Sequence, residues 1–171
     1  YGDSSSLYLH GWTGEKGIKA KIKYLVVSIK YRNKMMPFYV AILTLGAFKA
    51  DYFGKAVDLC TSIGIKINCI MLDRGFYSGS IINTFQTKKI KYLIFAPKNK
   101  FIKEILNGSN ENCIIEHEIK YANNKTTQRV NSNHVFIRNY HDYDWVFAAN
   151  IFLQDARKYI SLYKKRWNIE T

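Results

Sequence analysis

The stretch IKINCIMLD, residues 65–73, is a nearly continuous apolar run that ends on an acidic residue. Such a run is typical of a β-strand that is covered on both faces, as in the centre of an α/β sheet. In open α/β sheets, ligands bind in the crevice outside the carboxyl ends of the strands. Asp73 is therefore a candidate ligand for a divalent cation, while the Asp-Arg-Gly sequence that it begins also fits an ordinary turn.

The patterns on either side of this run predict further strands and helices. Strand patterns, rich in β-branched and aromatic residues, are followed by helix patterns with apolar residues three or four apart. The strand patterns cover residues 22–30, 38–45 and 90–97, and the helix patterns cover residues 51–64 and 78–89. This order predicts an α/β sheet that starts with a hairpin and has parallel neighbours at its centre.

Residue types within these elements give more specific expectations. Asp51 and Ser78 are suited to cap the two helices, because their side chains accept hydrogen bonds from free backbone N–H groups. The longest apolar run, residues 38–48, is too short to span a bilayer and is predicted to be a buried strand. Residues 1–20 are rich in Gly, Ser and Lys and are predicted to form a loop.

The composition changes in the second half of the chain. Asn, Lys, Glu and Ser dominate residues 98–143, where short alternating runs predict antiparallel hairpins. We interpret this segment as a polar, β-rich insertion that lies outside the core. Residues 145–153 predict a core strand, and residues 155–171 predict a final helix. The expected organisation is a single domain over residues 1–171, cut from a longer protein at both ends.

The charge balance indicates the kind of partner. The chain has 26 Lys and Arg against 13 Asp and Glu, a formal net charge of +13. This excess favours a polyanionic partner such as nucleic acid, with a general enrichment of the sequence in lysine as the alternative. The lysines form no single amphipathic block, so no membrane partner is expected. Cys60, Cys69 and Cys113 are too widely spaced for a zinc site and suit a reducing cytoplasm.

The predicted last helix contains the stretch YKKRWNIE, residues 163–170. Tyr163, Arg166 and Glu170 are spaced i, i+3 and i+7, which places all of them on one face of a helix. A phenol, a guanidinium and a carboxylate on one face suit the binding of a metal and a phosphate together. The alternative is an exposed Arg–Glu pair, which contributes little to stability.

Together, MLDRGFYS (residues 71–78) and YKKRWNIE resemble the DDE transposases of bacterial and archaeal insertion sequences. Asp73 matches the second acidic residue of that family. Tyr163, Arg166 and Glu170 match its Tyr-x-x-Arg-x-x-x-Glu signature. Residues 8–29, YLHGWTGEKGIKAKIKYLVVSI, also resemble the stretch that follows the first catalytic strand of the family.

The resemblance implies an RNase H-like fold, a mixed sheet flanked by helices with a β-rich insertion before the last strand and helix. It implies carboxylates that hold two Mg²⁺ (or Mn²⁺) ions for cleavage and strand transfer of DNA at insertion-sequence ends. Asp73 and Glu170 would then be catalytic metal ligands, and Tyr163 and Arg166 would contact DNA. The implied partners are double-stranded DNA, as transposon ends and target, and a second copy of the chain in an oligomer.

The start of the sequence departs from the family pattern. Its first Asp is expected just before Tyr1, and the nearby Asp3 falls after that point in the predicted loop. We therefore expect the first catalytic carboxylate to be missing and this polypeptide alone to be inactive, unless Asp3 replaces it. The alternatives are a non-catalytic DNA-binding remnant and an RNase H-like nuclease or resolvase.

Other polar and aromatic residues have simpler interpretations. His117, within Glu-His-Glu, could bind a metal, but the alternating strand pattern favours a solvent-facing side chain. The acidic stretch 141–144 is interpreted as a hairpin turn. Trp145 and Trp167 could stack on a flipped base, and packing in the core or on the helix is the preferred interpretation.

Overall fold

The structure, a computed structural model, describes residues 2–13, 19–31, 34–43, 48–123 and 126–165. The described strands are β1 (Gly2–Thr13), β2 (Lys19–Tyr31), β3 (Lys34–Leu43), β4 (Ile70–Leu72), β5 (Tyr92–Phe95), β6 (Cys113–Asn123), β7 (Thr126–Tyr140) and β8 (Tyr143–Ala149). The described helices are α1 (Lys49–Ser62), α2 (Gly79–Thr87), α3 (Lys100–Gly108) and α4 (Ala156–Lys164). A short 3-10 helix, Arg74–Phe76, follows β4.

The strands form one mixed sheet in the order β3-β2-β1-β4-β5-β8-β7-β6. β1, β4 and β5 run parallel at its centre, and the strands on either side pair antiparallel. The predicted hairpin is confirmed as β2–β3, and the predicted parallel centre is confirmed as well. A mixed sheet flanked by helices is the RNase H-like architecture that the resemblance implies.

The core covers both faces of the sheet centre, because successive residues of a strand point to opposite sides. On one face, Leu72 belongs to an apolar cluster with Phe53 of α1 and Phe85 of α2. On the other face, Met71 belongs to a cluster with Tyr159 of α4. The prediction that the apolar run is covered on both faces is therefore confirmed for β4, although the regular strand is shorter than the run.

The predicted helix caps have different outcomes. Ser78 is confirmed as the N-cap of α2, and its Oγ accepts a hydrogen bond from the Ile81 N–H at 3.4 Å. Asp51 is not the N-cap of α1, because that helix begins at Lys49 and Phe48 takes the capping position. Asp51 lies in the first turn instead, where its negative charge is favoured by the helix dipole.

The prediction of a loop over residues 1–20 is wrong. Most of this segment is strand: β1, and the first residues of β2. β1 pairs antiparallel with β2 from Gly2 onward and parallel with β4. Pairing on both sides overrides the weak strand preference of Gly and Ser, which is why composition alone misled the prediction.

The strand predicted within residues 38–48 is confirmed over residues 38–43 as part of β3, but the prediction that it is buried is wrong. β3 is an edge strand, and Val40 and Ile42 are 61% and 63% exposed. Tyr39 and Leu43, on the alternate positions, pack against the core. One face of this apolar strand is therefore exposed and the other packs on the core. No helix among the described residues is long and apolar enough to cross a membrane.

The segment predicted as a polar insertion is confirmed as β-rich but contains a helix and core residues. β6 and β7 form the predicted antiparallel hairpin. The expectation that it lies outside the core is wrong, because β7 lies between β6 and β8, and Val135, Phe136 and Ile137 are buried. α3 was not predicted. It buries Ile102 and Leu106 against the same region.

Candidate functional site

Asp73 lies directly after β4, at the carboxyl edge of the parallel strands. Its carboxylate Oδ1 accepts a hydrogen bond from the Arg74 N–H at 2.6 Å, which caps the 3-10 helix. Phe76 anchors this turn, because its ring packs edge-on against Phe53 with centroids 5.4 Å apart. Asp73 is half-buried. The turn interpretation of Asp73 is thus confirmed, and the residue also lies at the edge where ligands bind in such sheets.

α4 brings one signature residue to Asp73. The Tyr163 Oη donates a hydrogen bond to the Asp73 Oδ1 at 3.5 Å. The Tyr163 ring is buried and packs against Phe95 and Phe147 with centroids 5.6 and 5.2 Å apart. Asp155 caps the amino end of α4, since its Oδ1 accepts from the Arg157 N–H at 2.8 Å. The packing of α4 on the sheet therefore joins the two halves of the sequence pattern.

Arg166 and Glu170 lie outside the described residues, as does Trp167. The described part of α4 ends at Lys164. The shared helix face of Tyr163, Arg166 and Glu170 therefore stays a prediction, and so does the approach of Glu170 to Asp73.

The structure brings the position of Asp3 close to that of Asp73, which the sequence did not predict. β1 pairs in parallel with β4 at Gly2 and Leu72. Asp3 and Asp73 come directly after these two residues, so the register places their positions side by side at the same edge of the sheet. The expectation that Asp3 lies in a loop is wrong, because Asp3 belongs to β1 and pairs with Val26 of β2.

Basic residues follow the ends of neighbouring elements near this edge. Arg74 is exposed beside Asp73, and Lys98 and Lys100 follow β5, the strand next to β4. The Lys98 Nζ lies 4.9 Å from the ring centroid of Tyr143, at the start of β8. Lys164 at the end of α4 is also exposed. These positive charges suit a polyanion at the same edge as Asp73.

Sequence reasoning missed a buried histidine that supports the turn. The His134 Nε2 on β7 lies 2.8 Å from the Tyr77 Oη, and its Nδ1 lies 3.1 Å from the Ser132 carbonyl oxygen. A carbonyl only accepts, so Nδ1 carries the proton and the Tyr77 hydroxyl donates to Nε2. Burial lowers the pKa of His134 to about 4 and raises the pKa of Tyr77 to about 12. Both groups are therefore neutral near pH 7.

The structure also gives the surroundings of the other polar and aromatic residues considered from the sequence. The expectation that His117 faces solvent is wrong, because its ring stacks on Phe101 with centroids 3.6 Å apart. Within the described part of the chain, no group of three or more His, Cys, Asp or Glu could hold a metal ion. The turn at 141–142 between β7 and β8 is confirmed, as is the packing of Trp145. Burial raises the pKa of the Cys69 thiol to about 11, as for an unreactive thiol.

Comparison with known proteins covers most of the chain. A family model described as the transposase DDE domain matches residues 11–171. The matched range contains Asp73 and the full signature from Tyr163 to Glu170, and it starts after Asp3. The curated proteins contain no match to this sequence.

Proposed function

The chain belongs to the transposase DDE domain family, and we propose that it is the catalytic domain of a DNA transposase. In this proposal it cleaves DNA phosphodiesters at the ends of an insertion sequence and joins them to a target. The observation that carries the proposal is the hydrogen bond from Tyr163 of the signature helix to Asp73. It connects two family motifs that lie 90 residues apart in the sequence.

In this proposal a divalent metal such as Mg²⁺ or Mn²⁺ binds at the edge that carries Asp73, with Glu170 supplied by the rest of the signature helix. Asp73 and Asp3 follow the paired residues of two parallel strands, and Glu170 is the acid of the signature helix. Carboxylate oxygens from separate elements are the ligands that Mg²⁺ prefers. Bound metal ions in such a site would activate the attacking oxygen and stabilise the leaving oxygen.

We propose that Asp3 supplies the first carboxylate. This replaces the sequence-based expectation that the first acid is missing and that the polypeptide alone is inactive. The parallel register of β1 and β4 supports it, because Asp3 and Asp73 occupy equivalent positions one residue beyond Gly2 and Leu72. The full set of ligands would then be Asp3, Asp73 and Glu170.

The remaining residues of the site have supporting roles. The Arg74 N–H holds the Asp73 Oδ1 at 2.6 Å, and the Tyr163 hydroxyl, 3.5 Å from the same oxygen, would help to orient that carboxylate. Arg166 would contact a phosphate flanking the cleaved bond, because a guanidinium forms paired hydrogen bonds with phosphate oxygens. Arg74, Lys98 and Lys100 would hold the DNA backbone by charge, without reading its sequence.

Cleavage of plasmid DNA by the purified 171-residue chain tests this proposal. With Mn²⁺ or Mg²⁺, the chain should nick supercoiled DNA, and Asp3→Asn, Asp73→Asn and Glu170→Gln should each abolish nicking. Asp142→Asn is the matched control, because Asp142 is exposed in the β7–β8 turn and asparagine tolerates its positive φ of 60°.

Different failures of this experiment have different meanings. DNA binding without any metal-dependent nicking would contradict the catalytic proposal and favour the DNA-binding remnant. Nicking without joining to a second DNA would favour the nuclease or resolvase. If nicking survives Asp3→Asn but not Asp73→Asn, only the proposed role of Asp3 is contradicted.

A further inference from the structure

The turn that carries Asp73 makes few backbone contacts with the sheet. Residues 74–78 leave β4, and the internal bonds of this turn run from the Phe76 N–H to the Asp73 carbonyl and from the Tyr77 N–H to the Arg74 carbonyl. Contacts made by side chains therefore determine where the turn lies relative to the sheet. Two of them involve the β6–β7 hairpin, which is distant in the sequence.

The first contact is the hydrogen bond between Tyr77 and His134. The Tyr77 hydroxyl lies 2.8 Å from the His134 Nε2, and the Ser132 carbonyl at 3.1 Å fixes the His134 ring from its other nitrogen. His134 is fully buried and Tyr77 is partly buried, so water competes little for this bond. Because the pKa of His134 is lowered to about 4, its Nε2 remains an acceptor throughout the neutral pH range.

The second contact lies on the other strand of the hairpin. The Tyr121 ring of β6 lies over the backbone of Gly79, the first residue of α2. A Cβ placed on Gly79 would be 2.6 Å from the Tyr121 Cδ1 and 3.0 Å from its Cγ. Side-chain atoms do not approach so closely, so the contact is possible because residue 79 is glycine. The Tyr121 hydroxyl donates to the Gln128 Oε1 of β7 at 2.8 Å, which fixes the ring.

We propose that the β6–β7 hairpin positions the metal-binding turn, with His134 and Tyr121 as positioning residues that hold Asp73 through Tyr77 and Gly79. The proposal rests on the proposed function, because the position of Asp73 matters only if its carboxylate binds metal. It gives this hairpin a role in the reaction although neither residue contacts Asp73. Outer groups that orient metal ligands commonly change metal affinity by about 10- to 100-fold when they are removed.

Titration calorimetry of Mn²⁺ binding to the full 171-residue chain tests the proposal without relying on activity. Tyr77→Phe keeps the ring and removes the hydroxyl that reaches His134. We expect it to weaken Mn²⁺ binding by about tenfold, at the lower end of the range for outer groups. His134→Gln retains a side-chain oxygen that can accept from Tyr77, so it should keep more affinity than His134→Leu.

Tyr92→Phe is the matched control. Tyr92 is also a buried tyrosine bonded to β7, through the Ser132 Oγ at 3.0 Å, but it begins β5 and pairs with Ile70 at the opposite edge from Asp73. Both variants remove one buried hydroxyl and should lower stability similarly in urea. Only Tyr77→Phe should weaken Mn²⁺ binding.

The outcomes separate this inference from the proposed function. If Asp73→Asn leaves Mn²⁺ affinity unchanged, the metal site itself is refuted. If Asp73→Asn abolishes binding while Tyr77→Phe and Tyr92→Phe bind Mn²⁺ equally well, the positioning role is refuted and the metal site stands. Should His134→Leu fail to fold, the comparison of Tyr77→Phe with Tyr92→Phe still decides the question.

Discussion

Replacement of Gly79 by alanine tests whether the β6–β7 hairpin is packed against the start of α2 as closely as the structure indicates. The added Cβ would lie 2.6 Å from the Tyr121 Cδ1 and 3.0 Å from the Tyr121 Cβ. The Tyr121 Cβ is attached to the backbone of β6, so rotation of the ring alone does not remove the clash. Either β6 or the start of α2 must shift.

Two opposing contributions determine how much Gly79→Ala changes the free energy of unfolding. Overpacking a tight contact typically costs about 1–3 kcal/mol. Alanine in place of glycine gains up to about 1 kcal/mol inside a helix, and less at the first residue. We therefore expect Gly79→Ala to lower the free energy of unfolding by about 1–2 kcal/mol, measured by urea denaturation.

Two further variants make this test specific. Gly108→Ala is the control, because Gly108 ends α3 and no described atom lies within 4 Å of its Cβ position. This change should be neutral or stabilising. A Tyr121→Ala background removes the contacts with the Cδ1 and Cγ but keeps the 3.0 Å contact with the Cβ, so Gly79→Ala should cost less there. The reasoning is refuted if Gly79→Ala is as stable as Gly108→Ala, or if Tyr121→Ala leaves its cost unchanged.

Three other predictions concern pH, a partly buried ion pair and salt. Burial lowers the pKa of His134 in the folded chain to about 4 from 6.5. As the pH falls, His134 is therefore protonated in the unfolded chain before it is protonated in the folded chain. The free energy of unfolding should drop between pH 6.5 and 4 by at most about 3 kcal/mol. Urea denaturation at pH 7 and 5 should show a smaller drop for His134→Gln, and equal drops would contradict the buried neutral histidine. Arg138→Met should lower the free energy of unfolding by about 2 kcal/mol. The Arg138 Nη1 donates to the Leu106 carbonyl at 2.8 Å, and the Arg138 Nε lies 3.2 Å from the Asp144 Oδ1. Unchanged stability in urea would count against these contacts. DNA affinity should fall steeply with salt, and Arg166→Ala should reduce the slope of log affinity against log salt by about 1; an unaltered slope would exclude a phosphate contact.

The centre of the fold was accessible from the sequence because its signals are local and strong. The apolar run before Asp73 predicts a strand that is covered on both faces, and Met71 and Leu72 do lie in clusters on opposite faces. Ser78 begins α2 as its residue type indicates. Such features depend on alternation and capping chemistry, which short stretches of sequence carry by themselves.

The errors arose where distant partners decide the structure. Gly2–Thr13 forms a strand because β2 and β4 pair with it, which its Gly and Ser residues do not indicate. Val40 and Ile42 lie on an exposed face of the edge strand β3, which an apolar run does not reveal. α3 did carry a local signal, apolar residues at Phe101, Ile102, Ile105 and Leu106, but the polar residues around it concealed the pattern.

The candidate site was predictable in part for the same reason. The motif containing Asp73 could be recognised from its residues, and so could the one containing Tyr163, but their contact comes from the packing of α4 on the sheet. The position of Asp3 beside Asp73 depends on the register of β1 against β4. His134 lacks a motif of its own, and its bond to Tyr77 depends on the path of β7 through the sheet.

The central claim is that Asp3, Asp73 and Glu170 share a metal site, and a crystal structure of the chain with Mn²⁺ tests it most directly. Anomalous scattering should place an Mn²⁺ ion about 2.1 Å from carboxylate oxygens of both Asp3 and Asp73, with Glu170 completing the site from the signature helix. Strong anomalous density elsewhere, or Asp3 and Glu170 too far from Asp73 to share an ion, would contradict the account.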